Sequence, residues 1–186
     1  AQVAKDLGAE VRGRSILAGD AWGNETPARQ ELWAWAAEEA GDGWILFNDA
    51  DMVLHGDPRP LCETWDVNSW AFILYDLWSE THYRSDALWQ GHTFARPWLV
   101  RPSAVLTGPP LWNGRGIHSG HLPGNAQLAM GIAPVDLYYW EHLSYMTLAD
   151  RQKKAAQYAS VNAQLTEGER RHAGSILDYD RVAAPP

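Results

Sequence analysis

An unbroken apolar run, residues 44–47 (WILF), constrains the fold of this chain more than any other feature. Four apolar residues in succession favour a strand that is covered on both faces, because an edge strand would alternate apolar and polar residues. A helix is predicted before it, with Thr26 as N-cap and Pro27 at the first helical position. Gly41 and Gly43 end that helix. The order of helix, glycine turn and buried strand predicts an α/β fold.

Two aspartates, Asp49 and Asp51, follow this strand directly. Open α/β sheets bind ligands at the carboxyl ends of their strands. Two carboxylates spaced two residues apart can bind one divalent cation, and hard oxygen ligands suit Mg²⁺ or Mn²⁺. Such a cation is useful where a diphosphate is bound and must leave. The alternative is that both aspartates only end the strand in a turn.

Composition narrows the class of protein. The chain has 186 residues, which argues for one domain with room for a hydrophobic core. A net charge of -8 disfavours unspecific attraction to nucleic-acid phosphates or anionic lipid. The single cysteine, Cys62, cannot close an intrachain disulfide, so a cytoplasmic protein is expected. No run of about 20 apolar residues is present, so no transmembrane segment is expected.

The chain as a whole is predicted to divide into a core and a C-terminal helical segment. Residues 102–134 are rich in proline and glycine and are predicted to form a long functional loop. Thr147 is predicted to cap a helix, and a shorter helix follows. We therefore expect a core at 1–146 and a helical segment at 147–186 packed on it, with a frayed tail. Further strands are predicted at 70–74, 98–101 and 135–140.

Five segments together resemble the inverting glycosyltransferases of family 2, which have the GT-A fold. Residues 44–54 (WILFNDADMVL) resemble the strand and DxD motif of this family. Residues 27–29 resemble the start of the helix before it. The other matching segments are 98–101 (WLVR), 116–118 (GIH), and 142–145 (HLSY) together with Arg151, Lys154 and Tyr158.

The resemblance implies a GT-A-like, mostly parallel sheet and an inverting sugar transfer. The donor would be a UDP- or GDP-linked sugar, and the acceptor a hydroxyl group of a glycan or another molecule. The metal, Mn²⁺ or Mg²⁺, would be held by Asp49 and Asp51. A histidine near the end of the core often adds a metal or diphosphate contact in such enzymes, and His142 is the candidate. The alternative is a partly buried histidine at a strand end. Arg29 and Arg115, with Asp49, are the candidates for binding the donor.

The chain departs from the family pattern in two places. The helix that follows the base-binding strands of the family corresponds to the start of this chain, so we expect a fragment, a loss of donor binding, or a second chain that completes the nucleotide site. In addition, Ser119 stands where the family has a glutamate, so the general base is unassigned. Asp86 and Glu141, with Glu80, are the candidates. Asp86 is favoured because aromatic residues surround it in sequence. Each is alternatively a solvated surface carboxylate.

Two other functions fit the sequence. One is a non-catalytic carbohydrate-binding module derived from such an enzyme, which the 11 tryptophans would suit. The other is a metal-dependent hydrolase, since His118 and His121 lie three residues apart and can be joined by an aspartate or by His142 in a metal site.

Overall fold

The computed structural model describes residues 24–114, 118, 120–178 and 182–183. The described residues form a mixed sheet flanked by helices, so the predicted α/β class is confirmed. The helices are α1 (Thr26–Ala40), α2 (Pro102–Val105), α3 (Leu148–Ser160) and α4 (Glu167–Gly174), with 3-10 turns at Arg59–Glu63 and Asn162–Gln164. The strands are β1 (Ile45–Leu46), β2 (Met52–His55), β3 (Ser69–Ser79), β4 (His82–Arg84), β5 (Arg96–Val100), β6 (Met130–Ile132), β7 (Tyr139–His142) and β8 (Val182–Ala183).

The 11-residue strand β3 is the centre of the sheet. It pairs antiparallel with β4 and β5, and parallel with β6 and β7. At the margins, β1 pairs with β5, β2 with β7 and β8 with β4, all antiparallel. Five of the seven described pairings are therefore antiparallel, and the prediction of a mostly parallel sheet is wrong. Two residues join β3 to β4, and so short a connection permits only an antiparallel pair.

The apolar run after α1 forms a shorter and more exposed strand than predicted. Ile45 and Phe47 are buried, but Leu46 is 38% exposed, so one face of β1 is not fully covered by the described residues. Within those residues β1 pairs only with β5. The preceding helix ends as predicted at Gly41, which has a φ of 52°. Its N-cap is Glu25 rather than Thr26.

The other predicted elements are confirmed in part. Residues 70–74 lie inside β3, and residues 98–100 end β5. Only the last two residues of the predicted strand at 135–140 belong to β7. Thr147 caps α3, because its hydroxyl accepts a hydrogen bond from the backbone N–H of Asp150. Of the predicted frayed tail, residues 184–186 lie outside the described residues.

The helical end packs on the sheet through a second hydrophobic cluster. Trp78 and Trp89 from the strand side meet apolar side chains of the C-terminal segment, namely Tyr145, Tyr158, Val161, Leu165 and Ile176. The buried Arg151 of α3 donates to the carbonyl oxygens of Trp78 at 3.0 Å and Tyr145 at 2.7 Å. This cluster fixes α3 and α4 over the carboxyl end of β3.

No helix within the described ranges is long and apolar enough to cross a membrane.

Candidate functional site

A cavity of about 740 Å³ lies where the turn between β1 and β2 meets β3, β7 and the helices α1 and α3. Both aspartates of the DAD sequence line it. Leu143 N–H donates to the Asp51 carbonyl oxygen at 2.8 Å, which fixes this turn to the end of β7. The charged groups that matter below all line the cavity: Arg29, Asp49, Asp51, Asp76, His142 and Lys154. The sequence prediction of a polar site after β1 is thus matched by a cavity at that place.

Asp51 is surrounded by hydrogen-bond donors and basic groups. Its Oδ2 accepts a hydrogen bond from the Ser144 hydroxyl and lies 3.5 Å from His142 Nε2 and 3.9 Å from Lys154 Nζ. The contact with His142 is the main reason that the pKa of Asp51 lies well below its usual value, and Ser144 and Lys154 add to the effect against the opposing influence of burial. Asp51 is therefore ionised throughout the physiological range.

His142 is held between two carboxylates. Its Nδ1 lies 2.7 Å from Asp76 Oδ1, and its Nε2 faces Asp51. Burial alone would lower the pKa of His142, but the bonds to Asp51 and Asp76 outweigh burial and raise it to about 9. The ring is therefore protonated at pH 7 and donates from both nitrogens. A divalent cation between Nε2 and Asp51 would displace the Nε2 proton, while a carboxylate at Nδ1–H is the usual partner of a histidine ligand. Asp76 is thus the residue that orients His142.

These donors fit a divalent cation that keeps much of its water. Asp51 and His142 Nε2 converge on one point of the cavity, with Asp49 on the same turn. No group of three or more histidine, cysteine, aspartate or glutamate side chains within the described residues is spaced to hold a metal ion by itself. Mg²⁺ commonly uses one or two protein carboxylates and takes its remaining ligands from water and substrate phosphates. The donor set suits that mode and not a closed protein cage.

Asp49 belongs to a separate network with Arg29 and His121. Arg29 Nη2 donates to Asp49 Oδ1 at 3.0 Å, and Arg29 Nη1 donates to His121 Nδ1 at 2.9 Å. His121 Nε2 lies 3.7 Å from Asp49 Oδ2. Burial lowers the pKa of His121 to about 4, with Arg29 acting in the same direction and Asp49 against it. His121 is therefore neutral at pH 7 and accepts a hydrogen bond from Arg29.

Two predicted bases lie outside the cavity wall. Asp86 accepts hydrogen bonds from Arg84 Nε at 2.7 Å and from Leu88 N–H at 2.8 Å, and its side chain is 7% exposed. Glu141 precedes His142 in β7, so its side chain points to the other face of the sheet, where it lies 2.9 Å from His55. The role of general base remains a prediction for Asp86 and Glu141, although their carboxylates contact Arg84 and His55 outside the cavity.

The remaining predicted residues divide between the site and other places. Arg29, Asp49, Asp51 and His142 come together in the cavity. Arg115 lies outside the described residues, and Glu80 is exposed in the turn between β3 and β4. The two histidines of the hydrolase alternative contact different groups, because His121 packs on Phe47 and His118 on Tyr158.

Asp76 is a site residue that was not predicted from the sequence. The sequence does contain a pattern that could have identified it, because Asp76 is the one carboxylate in the otherwise apolar stretch of β3 (SWAFILYDLWS). A carboxylate in such a strand requires a partner when it is buried. His172, which was also not predicted, lines the far end of the cavity.

Comparisons with protein-family models, with curated proteins and with solved structures find no match to this chain.

Proposed function

We propose that this chain transfers a sugar from a nucleotide-sugar donor to a hydroxyl acceptor with the help of Mn²⁺ or Mg²⁺, on a GT-A-like fold. The observation that carries the proposal is the position of His142, held by Asp76 and facing Asp51. It supports a cation site inside a cavity that also contains basic side chains. The sequence resemblance to family 2 glycosyltransferases supplies the reaction.

The basic residues of the cavity suit a diphosphate. Arg29 lies beside Asp49, and Lys154 lies 3.9 Å from Asp51, so positive groups flank the carboxylates on two sides. A bound cation would be held by Asp51 and His142 with Asp49 nearby, and would neutralise the charge that develops on the leaving diphosphate. Arg29 and Lys154 bind and orient the phosphates, and Asp76 keeps the His142 ring in position.

The size of the cavity is compatible with such a donor. Sites for small molecules and cofactors are usually about 300–1,000 Å³, and this one has about 740 Å³. The resemblance favours UDP or GDP as the nucleotide. The acceptor hydroxyl would enter from the end of the cavity away from Asp49 and Asp51.

A second candidate function is a non-catalytic carbohydrate-binding module. It is favoured by one observation: both carboxylates already have basic partners within the chain, Asp49 with Arg29 and Asp51 with Lys154. Ion pairs within the chain can stabilise the fold without binding any ligand. The two functions differ in one property, because only the transferase requires a cation-dependent nucleotide site.

Isothermal titration calorimetry of UDP and of GDP, with Mn²⁺ or with EDTA, tests the proposal. We expect one nucleotide to bind only with Mn²⁺, and Asp51→Asn to weaken that binding by about 10-fold or more. Asp57→Asn is the matched control, because Asp57 is paired with Arg59 outside the cavity wall. Binding of neither nucleotide to the wild type would contradict the proposal, and glycan binding without nucleotide affinity would favour the module.

A further inference from the structure

The end of the cavity opposite to Asp49 is built from aromatic and histidine side chains. It continues from the cation end through ring contacts: the His142 ring lies 5.1 Å from Tyr145, Tyr145 lies 4.7 Å from Trp89, and Trp89 lies 3.9 Å from His172. His172, on α4, therefore opens onto the same cavity as Asp51. The side chains that line this end are Leu88, Trp89, His118, Tyr158 and His172.

The His172 ring is fixed in orientation and tautomer. Its Nδ1 lies 3.0 Å from the carbonyl oxygen of Leu88, and a carbonyl only accepts, so Nδ1 carries the hydrogen. The neutral ring then has its lone pair on Nε2. Within residues 24–114, 118 and 120–178, Nε2 has no hydrogen-bond partner. The ring also packs on Trp89, with 3.9 Å between the ring centroids and 32° between the planes, which restricts its rotation.

The surroundings keep this imidazole neutral. Burial is the main cause that lowers the pKa of His172, and the nearby His118 and Arg84 lower it further. The bond to Leu88 and the charge of Asp76 act in the opposite direction. A histidine that is neutral at pH 7, with a free lone pair directed from a fixed ring, is suited to take a proton.

We propose that His172 is the general base for the acceptor hydroxyl, an inference that rests on the proposed function. As the acceptor oxygen bonds to the anomeric carbon, its proton moves to His172 Nε2. The bond between the anomeric carbon and the diphosphate oxygen breaks, and its electron pair leaves with the diphosphate. The family has a glutamate where this chain has Ser119, and the assignment gives His172 the role of the missing base. Asp86 and Glu141 do not line the cavity.

Glu25 is the competing base, because it is a carboxylate that also lines the cavity. It lies at the start of α1, and no hydrogen bond of its side chain to another described residue fixes its orientation. His172 is held by Leu88 and Trp89. A base must be placed within hydrogen-bond reach of the proton that it removes, so the fixed group is the better candidate.

The test compares two nucleophiles, water and azide, by release of UDP or GDP from UDP-glucose or GDP-mannose with Mn²⁺. Water must lose a proton when it attacks, whereas azide attacks as an anion and needs no base. In His172→Asn the amide can still donate to the Leu88 carbonyl, but the basic Nε2 is gone. We expect its water reaction to fall by about 100-fold or more, and its azide reaction to equal that of the wild type.

Three results would overturn the inference. An unchanged water reaction in His172→Asn shows that the ring is not the base. An equal fall of the water and azide reactions shows a structural role, which thermal unfolding would register as well. A selective loss of the water reaction in Glu25→Gln, with His172→Asn unaffected, assigns the base to Glu25. If the wild type neither releases nucleotide with azide nor binds it with Mn²⁺, the proposed function itself fails.

Discussion

Asp76 and His142 are partners in the parallel register of β3 and β7, and their side chains meet at 2.7 Å. The contact between a carboxylate and an imidazole is therefore built into the sheet and does not depend on a loop. Register partners on adjacent strands point to the same face. His142 consequently reaches the cavity at Asp51, while Glu141 beside it faces the other way.

The first prediction concerns this pair. Asp76→Asn removes a negative charge that raises the pKa of His142, so that pKa falls from about 9. The ring also loses its orienting carboxylate, and Mn²⁺ affinity should fall by about 10- to 100-fold. Titration of the histidine ring protons by NMR and of Mn²⁺ by electron paramagnetic resonance measure the two effects. Asp57→Asn is the control, and a metal affinity unchanged in Asp76→Asn would argue against His142 as a ligand.

The second prediction concerns stability in acid. Burial holds the pKa of His121 at about 4 in the folded protein, whereas an unperturbed histidine has a pKa of 6.5. The unfolded chain therefore binds more protons than the folded protein between those two values. The free energy of unfolding should fall as the pH drops from 6.5 to 4, by about 3 kcal/mol from this residue. Urea unfolding in EDTA at several pH values measures the slope.

His121→Gln is the matched variant for that slope. Glutamine can accept a hydrogen bond from Arg29 but does not titrate, so the pH dependence between 4 and 6.5 should become shallower. The remaining slope includes His172, whose pKa is lowered as well. An identical slope in His121→Gln and in the wild type would show that His121 is not kept neutral by the fold.

The third prediction concerns Arg84, which is 1% exposed and bonded to Asp86 and to the Ser175 carbonyl oxygen. Arg84→Met removes a buried cation that bonds Asp86 and should lower the free energy of unfolding by about 3–5 kcal/mol. Arg59→Met is the control: Arg59 is paired with Asp57 on the surface, where solvent screens the pair and the loss should be much smaller than that of Arg84→Met. Chemical unfolding of both variants gives the comparison.

The fourth prediction concerns Gly131 in β6. A Cβ at this position would lie 2.6 Å from a ring carbon of Trp70, which is closer than any real contact. Gly131→Ala should therefore displace the ring and destabilise the fold by about 1–3 kcal/mol. Gly168→Ala in α4 is the control, because nothing lies within 4 Å of its Cβ, and it should be neutral or slightly stabilising. Equal melting temperatures for both variants would contradict the described packing.

Local patterns in the sequence predicted elements whose cause is local. Gly41 ends α1 through its own backbone conformation, and Thr147 caps α3 through a group three residues away. The site turn was predictable for the same reason, since Asp49 and Asp51 lie directly after β1. His142 was located through the resemblance and not through its spacing.

The missed features depend on residues that are far apart in sequence. His142 meets Asp76 across 66 positions, and His172 meets Leu88 across 84. No periodicity in the chain encodes such distances. The prediction of strand directions was wrong for a similar reason. Whether β5 runs parallel or antiparallel to β3 is decided by the connection between them and not by either strand alone.

The pairing of β3 with β7 also ties the chemistry of the cavity to completion of the sheet. A slip of β7 by one residue would turn His142 away from Asp51 and present Glu141, which adds negative charge at the proposed cation site. Insertions between Ile132 and Tyr139 that shift this alignment would thus remove the proposed cation site even in a well-packed molecule. Under the proposed function, binding of Mn²⁺ during refolding would report the moment at which β3 and β7 pair.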